Sequence, residues 1–489
     1  MINTLEHAKT LVHQVWLADD ATGAGTLENL KNWWKIVESE GKKFGYIVKP
    51  SKSWLILKNT ADLQTAETLF ADTSIKITTE GKRHLGAAIG TTDYKDQYIR
   101  EKVEEWCARL KKLTRIAKTQ PHAAYSGYIL GEQHKYTYFL RTLPNISHAL
   151  KPLDDIIEQE FVPALFGSAI SPEEREILSL PIRDGGLGLR VHHQVSSQTY
   201  TASKTTTTPL TTQIEQQNQE LPDPDRVKEA KTRTHLQMKE LAAQRHETIV
   251  SKQTPQMQRN LEQISEPGAS SWVGALPLKD LGFSLNKAEF NDGMCLRYDK
   301  PLKNLPSKCV CSNKKPFTVT HAMNCKRGGF INSRHNNIRN FFAHLMKEVC
   351  RDVQIEPPLQ PTGGVPLPSG TITEDGARLD VRARSFWREG QQAFFDIRVT
   401  NADCDSQIDK PLKTILHRSK VVLISKCRLP VANCSCQLTI HFDVHFDIRV
   451  PVRISFRYSA ANSTVISIFG CQFKSHFDIR LPIQIADFP

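Results

Sequence analysis

The chain has 489 residues, 39% of them hydrophobic, which is enough to bury sizeable cores and implies about two to four domains rather than one small stapled module. Its 64 Lys+Arg outnumber 52 Asp+Glu, with a pI near 9.1, a balance that favours a polyanionic partner. Eleven cysteines without a basic, apolar leader at Met1-Ile2-Asn3-Thr4-Leu5-Glu6, and no run of eighteen apolar residues, argue against a disulfide framework and a membrane span and for a reducing, intracellular setting.

Residues 1 to about 92 alternate strand and helix. An apolar strand runs into Asp19-Asp20, a helix covers Leu27–Glu40, and strands follow at Gly45–Val48 and Trp54–Leu57, a compact α+β pattern. Next, Ile99, Val103, Trp106, Leu110 and Leu113 recur at steps of three and four, with Arg100, Lys102, Arg109, Lys111 and Lys112 between them. That spacing predicts an amphipathic basic helix, whose charge is equally that of an ordinary solvated face. Further helices run to about Ile182, where Asp184-Gly185-Gly186-Leu187-Gly188 is expected to stop them with flexible backbone. Residues 193 to about 221 lose aromatics and periodicity, and Thr205-Thr206-Thr207-Thr208-Pro209 is low in complexity, so a linker is predicted. After Asp223, Pro224 opens a mainly polar helix to about Val250, read as a solvated spacer.

Charge then concentrates: residues 301–355 hold ten Lys/Arg against two Asp/Glu, a local net of +8, for which nucleic acid is the natural partner. The same stretch contains Cys309-Val310-Cys311, then His321 and Cys325. Three thiolates and one imidazole are the soft tetrahedral set that structural zinc prefers, although a one-residue gap between the first two cysteines is tighter than usual; unrelated thiols are the alternative. Cys434-Ser435-Cys436 has no partners at comparable spacing. A helix follows in which Ile338, Phe341, Phe342, Leu345, Met346 and Val349 are core positions, leaving Arg334, His335, Asn336 and Arg339 as candidates to face phosphate.

Leu379–Arg384 and Ala393–Val399 alternate as two strands about a turn near Arg388-Glu389-Gly390. Period two places Asp396 and Arg398 on one face, and pairing is expected to bring Asp380 beside them. Carboxylates and a cation on adjacent strands are the parts of a magnesium-dependent phosphodiesterase, or of an ordinary amphipathic hairpin with its charges toward water. The tail echoes Phe394-Phe395-Asp396-Ile397-Arg398-Val399 at 445–450 and 476–481, at unequal spacing that argues against a solenoid.

Trp16-Leu17-Ala18-Asp19-Asp20, then Gly45–Trp54 and His84–Gly90, resemble in order and spacing the later palm motifs of non-LTR retrotransposon reverse transcriptases, with Leu17 replacing the family's aromatic. The resemblance implies Asp19 as a magnesium ligand beside Asp20, Lys52 as the basic residue near the triphosphate, Leu85-Gly86 in the primer grip, and residues 100–190 as the helical thumb. Another essential aspartate of the family lies well upstream, and only 18 residues precede Asp19, so polymerase activity is not expected from this chain alone. The Cys/His cluster, Arg334-His335-Asn336, Glu356-Pro357-Pro358, Asp380 and Asp396-x-Arg398 likewise resemble the restriction-like endonuclease of site-specific members. That likeness covers about residues 268–403, including Trp272 and Ala275-Leu276-Pro277. It implies a PD-(D/E)XK-like mixed sheet flanked by helices that nicks target DNA, with Asp380 and Asp396 on magnesium, Glu356 a third acid, and His335 and Asn336 shaping the site. Two departures stand out: Leu379 replaces a proline, and Arg398 stands where many relatives have lysine, so it can clamp phosphate but not act as a base.

The expected fold is therefore α+β and multidomain: a partial reverse-transcriptase palm (1–92), helical thumb (93–192), linker and polar helix (193–267), basic zinc-binding segment (268–330), α/β restriction-like endonuclease core (331–425) and a divergent repeat-bearing tail (426–489). The expected partners are DNA and RNA without a membrane, the cofactors Mg²⁺ and Zn²⁺, and the location intracellular, or nuclear if chromosomal DNA is the substrate. A non-catalytic nucleic-acid-binding module and an inert element remnant are the alternatives.

Overall fold

A computed structural model describes residues 12–17, 20–217, 220, 222–303, 305–311, 316–357, 378–386, 389–397, 399 and 401–419, with two short paired strands at Gln437–His441 and Ser455–Ser459. Asp19, Arg398, Cys434, Cys436 and the tail copies at 445–450 and 476–481 lie outside the described residues. The architecture is mixed, with long helices and small sheets. Two compact units divide the chain: Met1–Pro181 with Gly186–Gln253, and Ile182–Gly185 with Thr254–Pro489. No helix among the described residues is long and apolar enough to cross a membrane.

The first unit starts with an antiparallel hairpin, β1 (His13–Leu17) and β2 (Asp20–Ala24), in which Leu17 stands opposite Asp20. Helix α1 (Leu27–Gly41) is capped by Thr26, whose hydroxyl accepts from the Asn29 amide at 3.4 Å, and it buries Trp33 and Val37 against Val12 and Trp16. Residues 45–48 form no strand: Gly45 turns left-handed at φ 78°, and Tyr46 and Val48 pack on that core, with Tyr46 set edge-on to Trp16 at 5.2 Å. The parallel pair β3 (Trp54–Ile56) and β4 (Lys76–Thr78) follows, with α2 (Leu63–Leu69) between them and then the hairpin β5 (Gly81–His84) and β6 (Ala87–Gly90).

The long helix α3 (Thr92–Ala117) buries the predicted stripe, with Ile99, Val103, Trp106 and Leu110 at most 3% exposed. Part of its basic face is locally neutralised: Arg109 pairs with Glu132 at 3.1 Å and Lys102 with Glu105 at 2.8 Å. Helices α4 (Pro121–Gly127), α5 (Gln133–Thr142), α6 (Ser147–Ile156), α7 (Val162–Phe166) and α8 (Pro172–Ser179) complete the bundle. The glycine-rich stretch after them is fixed rather than flexible. Leu187 and Leu189 are fully buried, and a Cβ on Gly186 would lie 1.9 Å from the Leu180 carbonyl oxygen.

The segment predicted as a linker is instead α9 (His192–Glu215), packed on α5 and α6. Two features accompany it, one local and one distant in sequence. Threonine hydroxyls fold back on the helix, Thr199 on Val195 O, Thr206 on Ala202 O and Thr208 on Lys204 O, at 2.8–2.9 Å, so they do not compete for other backbone groups. The buried Asp154 carboxylate accepts the His192 and His193 amides at 2.9 and 2.8 Å and thereby satisfies two free donors at the helix start. Helix α10 (Pro224–Ser251) begins as predicted, its Asp223 cap accepting from Asp225 N at 2.9 Å.

In the second unit, α11 (Pro255–Ile264) and α12 (Lys287–Arg297) lead to the basic segment. The buried Arg297 donates to Ser270 Oγ at 2.6 Å, and the neighbouring Tyr298 hydroxyl donates to Gly185 O at 3.1 Å. After α13 (Val319–Asn324) comes α14 (Phe330–Val349), which covers a sheet of β7 (Arg351–Ile355), β8 (Val381–Arg384) and β9 (Gln392–Phe395). Ile338, Phe342 and Met346 of α14 enclose Val381, Ala383, Ala393 and Phe395. All pairings among these described strands are antiparallel, in the order β7-β8-β9, rather than the mixed arrangement that the resemblance implies. Helix α15 (Leu412–Ser419) is the last described helix.

Candidate metal centre and acidic site

Cys309 and Cys311 follow Lys308, which forms an isolated antiparallel bridge with Pro316. Thr318 caps α13 by accepting the His321 amide at 3.1 Å, which holds His321 in the first turn, and Cys325 lies just past the helix end. The four ligand atoms all lie within 4.8 Å of one another. Cys309 Sγ is 3.7 Å from Cys325 Sγ, and Cys311 Sγ is 3.7 Å from His321 Nε2. A tetrahedral zinc ion with bonds of about 2.3 Å to sulfur and about 2.0 Å to nitrogen separates its ligands by roughly 3.5–3.8 Å. The donor set and its spacing therefore fit such an ion. The Cys311 amide favours the thiolate of Cys309, but burial and the thiols of Cys325 and Cys311 outweigh it, and the Cys309 thiol is raised above its ordinary value. A bound cation would reverse that balance.

Cys325 is followed by a short 3-10 turn over Lys326–Gly328, and Gly329, at φ 65°, opens α14. His335 and Arg339 are one helical turn apart and both reach the sheet. The His335 Nε2 atom lies 3.0 Å from the Ile397 carbonyl oxygen and 3.3 Å from Asp380 Oδ1. The other Asp380 oxygen accepts the Ile397 amide, and the Asp380 amide donates to Phe395 O at 3.1 Å. Arg339 is buried with its guanidinium on Glu356, whose amide donates to Asp380 O at 2.9 Å. One end of the sheet thus gathers His335, Arg339, Glu356 and Asp380 from α14, the end of β7 and the approach to β8.

Other predicted residues fall elsewhere. Asp380, its side chain 13% exposed, precedes Val381, and the exposed Asp396 follows Phe395, the residue paired with Val381, so the two acids stand side by side at the end of the β8–β9 ladder. Val381, Ala383, Ala393, Phe395 and Ile397 take the buried positions, and the Asp380 carboxylate, just before β8, turns to the Ile397 amide. Asn336 is exposed, with His335 Nδ1 at 3.4 Å, and Arg334 is half-buried, its Nη1 donating to Met323 Sδ at 3.8 Å. In the first unit Asp20 is exposed at the start of β2, and Lys52 ends an exposed 3-10 turn, Pro50–Lys52; no ion pair joins them among the described residues. Sequence reasoning missed the inward turn of Arg339 onto Glu356 and the use of the Ile397 backbone; no local signal announces either.

Comparison of the chain with family models, with curated proteins and with solved structures finds no match in any of the three.

Proposed function

We propose that this is a nucleic-acid-binding protein of retrotransposon type, whose second unit holds zinc at Cys309, Cys311, His321 and Cys325 and nicks DNA at an acidic centre built on Asp380. The observation that carries the reading is the meeting of His335, Arg339, Glu356 and Asp380 at one sheet end, on the helix that follows a basic metal-binding knuckle. Carboxylates, an imidazole and a guanidinium on a rigid sheet edge are the groups that phosphodiester cleavage uses. Mg²⁺, held by Asp380 with Glu356 or Asp396, would polarise the phosphate. His335, on Asp380, is placed to carry a proton to the leaving oxygen. Arg339 cannot act as a base but can transfer from Glu356 to a phosphate oxygen. The likeness of residues 16–190 to a palm and thumb adds RNA as a second partner, and action on chromosomal DNA would place the protein in the nucleus.

The test is incubation of the purified chain with supercoiled plasmid and Mg²⁺. Open-circle product should form, and Asp380→Ala should abolish it while zinc content stays unchanged. Nicking that persists in both Asp380→Ala and Asp396→Ala would remove the catalytic assignment.

A specific observation favours a second reading, a non-catalytic binding module. Both Asp380 oxygens and one Glu356 oxygen already have protein partners, so the acids balance the fold's own donors. Binding that falls steeply with salt, without any cleavage, selects this reading.

A further inference from the structure

The first unit carries an aromatic and basic face that plays no part in the acidic site. Trp54 of β3 is 37% exposed, and two ammonium groups lie over its ring, Lys82 Nζ at 4.0 Å and Lys76 Nζ at 5.4 Å from the centroid. The sheet register creates this arrangement: Trp54 pairs directly with Lys76 across the parallel β3–β4 ladder, and β5, which carries Lys82, packs against β3. Neither lysine has a carboxylate partner among the described residues. The segments that build the face, 49–58 and 74–84, contain six Lys/Arg (Lys49, Lys52, Lys58, Lys76, Lys82, Arg83) and a single acid, Glu80. Asp72, the acid that precedes β4, is taken by Lys31. Two like charges on one exposed indole, with no acid to neutralise them, repel each other, and an anion between or beside them relieves that repulsion.

The anion that fits is not a free phosphate alone, because the charges are arranged around a large planar ring. Single-stranded nucleic acid offers both halves of the match: phosphates for ammonium groups and bases whose faces stack on aromatic side chains. Duplex DNA offers phosphates but keeps its bases stacked on each other. We propose that Trp54, Lys76 and Lys82 form a contact site for single-stranded nucleic acid, with the lysines on the backbone and the indole against a base. This rests on the reading of the chain as a nucleic-acid binder and names the strand form that its first unit takes.

The test is fluorescence anisotropy of the full chain with labelled 15-nucleotide oligo(U), oligo(dT) and a duplex of equal length, across a salt series. Trp54→Ala should weaken both single strands about tenfold or more, as loss of one base-stacking partner does, and leave duplex affinity unchanged; Trp54→Phe should restore most of it. Lys76→Gln with Lys82→Gln should lower the salt slope for single strands by about 1.4, two phosphate contacts at about 0.7 each. These exposed substitutions also cover the case in which Trp54→Ala disturbs the sheet. The two single strands separate the sources: a preference for oligo(U) assigns the site to RNA, equal loss on both to either strand. Unchanged single-strand affinity in all the variants, with wild-type duplex binding intact, overturns the proposed contact alone. Wild-type protein that binds none of the three probes overturns the contact together with the nucleic-acid reading.

Discussion

Cys325→Ala removes one corner of a four-ligand donor set whose atoms all lie within 4.8 Å of one another. Two of its edges measure 3.7 Å, against roughly 3.5–3.8 Å for zinc in such a shell. Those two pairs need little movement on binding, so loss of one ligand should lower affinity markedly. At zinc a thousandfold above its dissociation constant, binding stabilises the folded unit by about 4 kcal/mol. In a unit of this size about 1 kcal/mol moves the melting temperature by roughly 2–4 °C. The transition of the second unit should therefore rise by about 8–16 °C with zinc over chelator, and this difference should vanish in Cys325→Ala. Metal analysis after gel filtration should find about one zinc per chain in the wild type and almost none in the variant. Cys404→Ala is the control, because its thiol lies 3.3 Å from Ser406 Oγ and outside the cluster. A Cys325→Ala protein that kept its zinc and its chelator-sensitive melt would refute the tetrahedral assignment.

Three further outcomes follow from the first unit. Asp154 has both oxygens committed, with His192 Nδ1 at 2.9 Å and His193 Nδ1 at 2.8 Å besides the two amides. Asp154→Ala should cost about 3–5 kcal/mol in a denaturant titration, since it strands buried donors. Burial alone would raise the Asp154 pKa, but the hydrogen bond and charge of His192 and the two amides hold it below its ordinary value. Its contribution is therefore complete above the unfolded-state value of about 3.9 and is lost as pH falls through the depressed folded value; Asp154→Asn should flatten the acid limb of a stability–pH curve and leave its neutral part parallel. Gly186→Ala forces a methyl to within 1.9 Å of a backbone oxygen and should destabilise by about 1–3 kcal/mol or more; a wild-type melting temperature in that variant would contradict the tight packing of the loop.

Legibility in the sequence followed the range of the forces that decide each element. Helix α3 was readable because Ile99, Val103, Trp106 and Leu110 form a continuous stripe, and α10 because Asp223-Pro224 is a local start signal. The candidate metal cluster was readable because its four side chains fall within one short segment, 309–325. The strand pair β8–β9 was readable from its period of two, but the fate of Asp380 was not. Its carboxylate is decided by an amide 17 residues away and by a histidine on another element. Helix α9 was missed for the same reason. Its threonine run carries little helical signal, and its start is fixed by Asp154, 38 residues earlier. Arg339 read as a phosphate contact because periodicity marks an apolar face; it cannot say that a glutamate at the end of the next strand will meet the guanidinium.

The Cys/His cluster and the acidic cluster of the second unit adjoin one helix. Gly329 starts α14 four residues after Cys325, and His335 stands six residues further on, about 9 Å along the helix axis at 1.5 Å per residue. Ile338 and Phe342 lock the helix onto the sheet, while His335 and Arg339 project from an adjoining line of the same surface to Asp380 and Glu356. A rotation of α14 by a single residue step, about 100°, would take the imidazole off Asp380 and the guanidinium off Glu356 together. Each of these ion pairs requires that same register. Zinc at the Cys/His cluster would fix where the helix begins, while the ion pairs of His335 and Arg339 fix how it is turned.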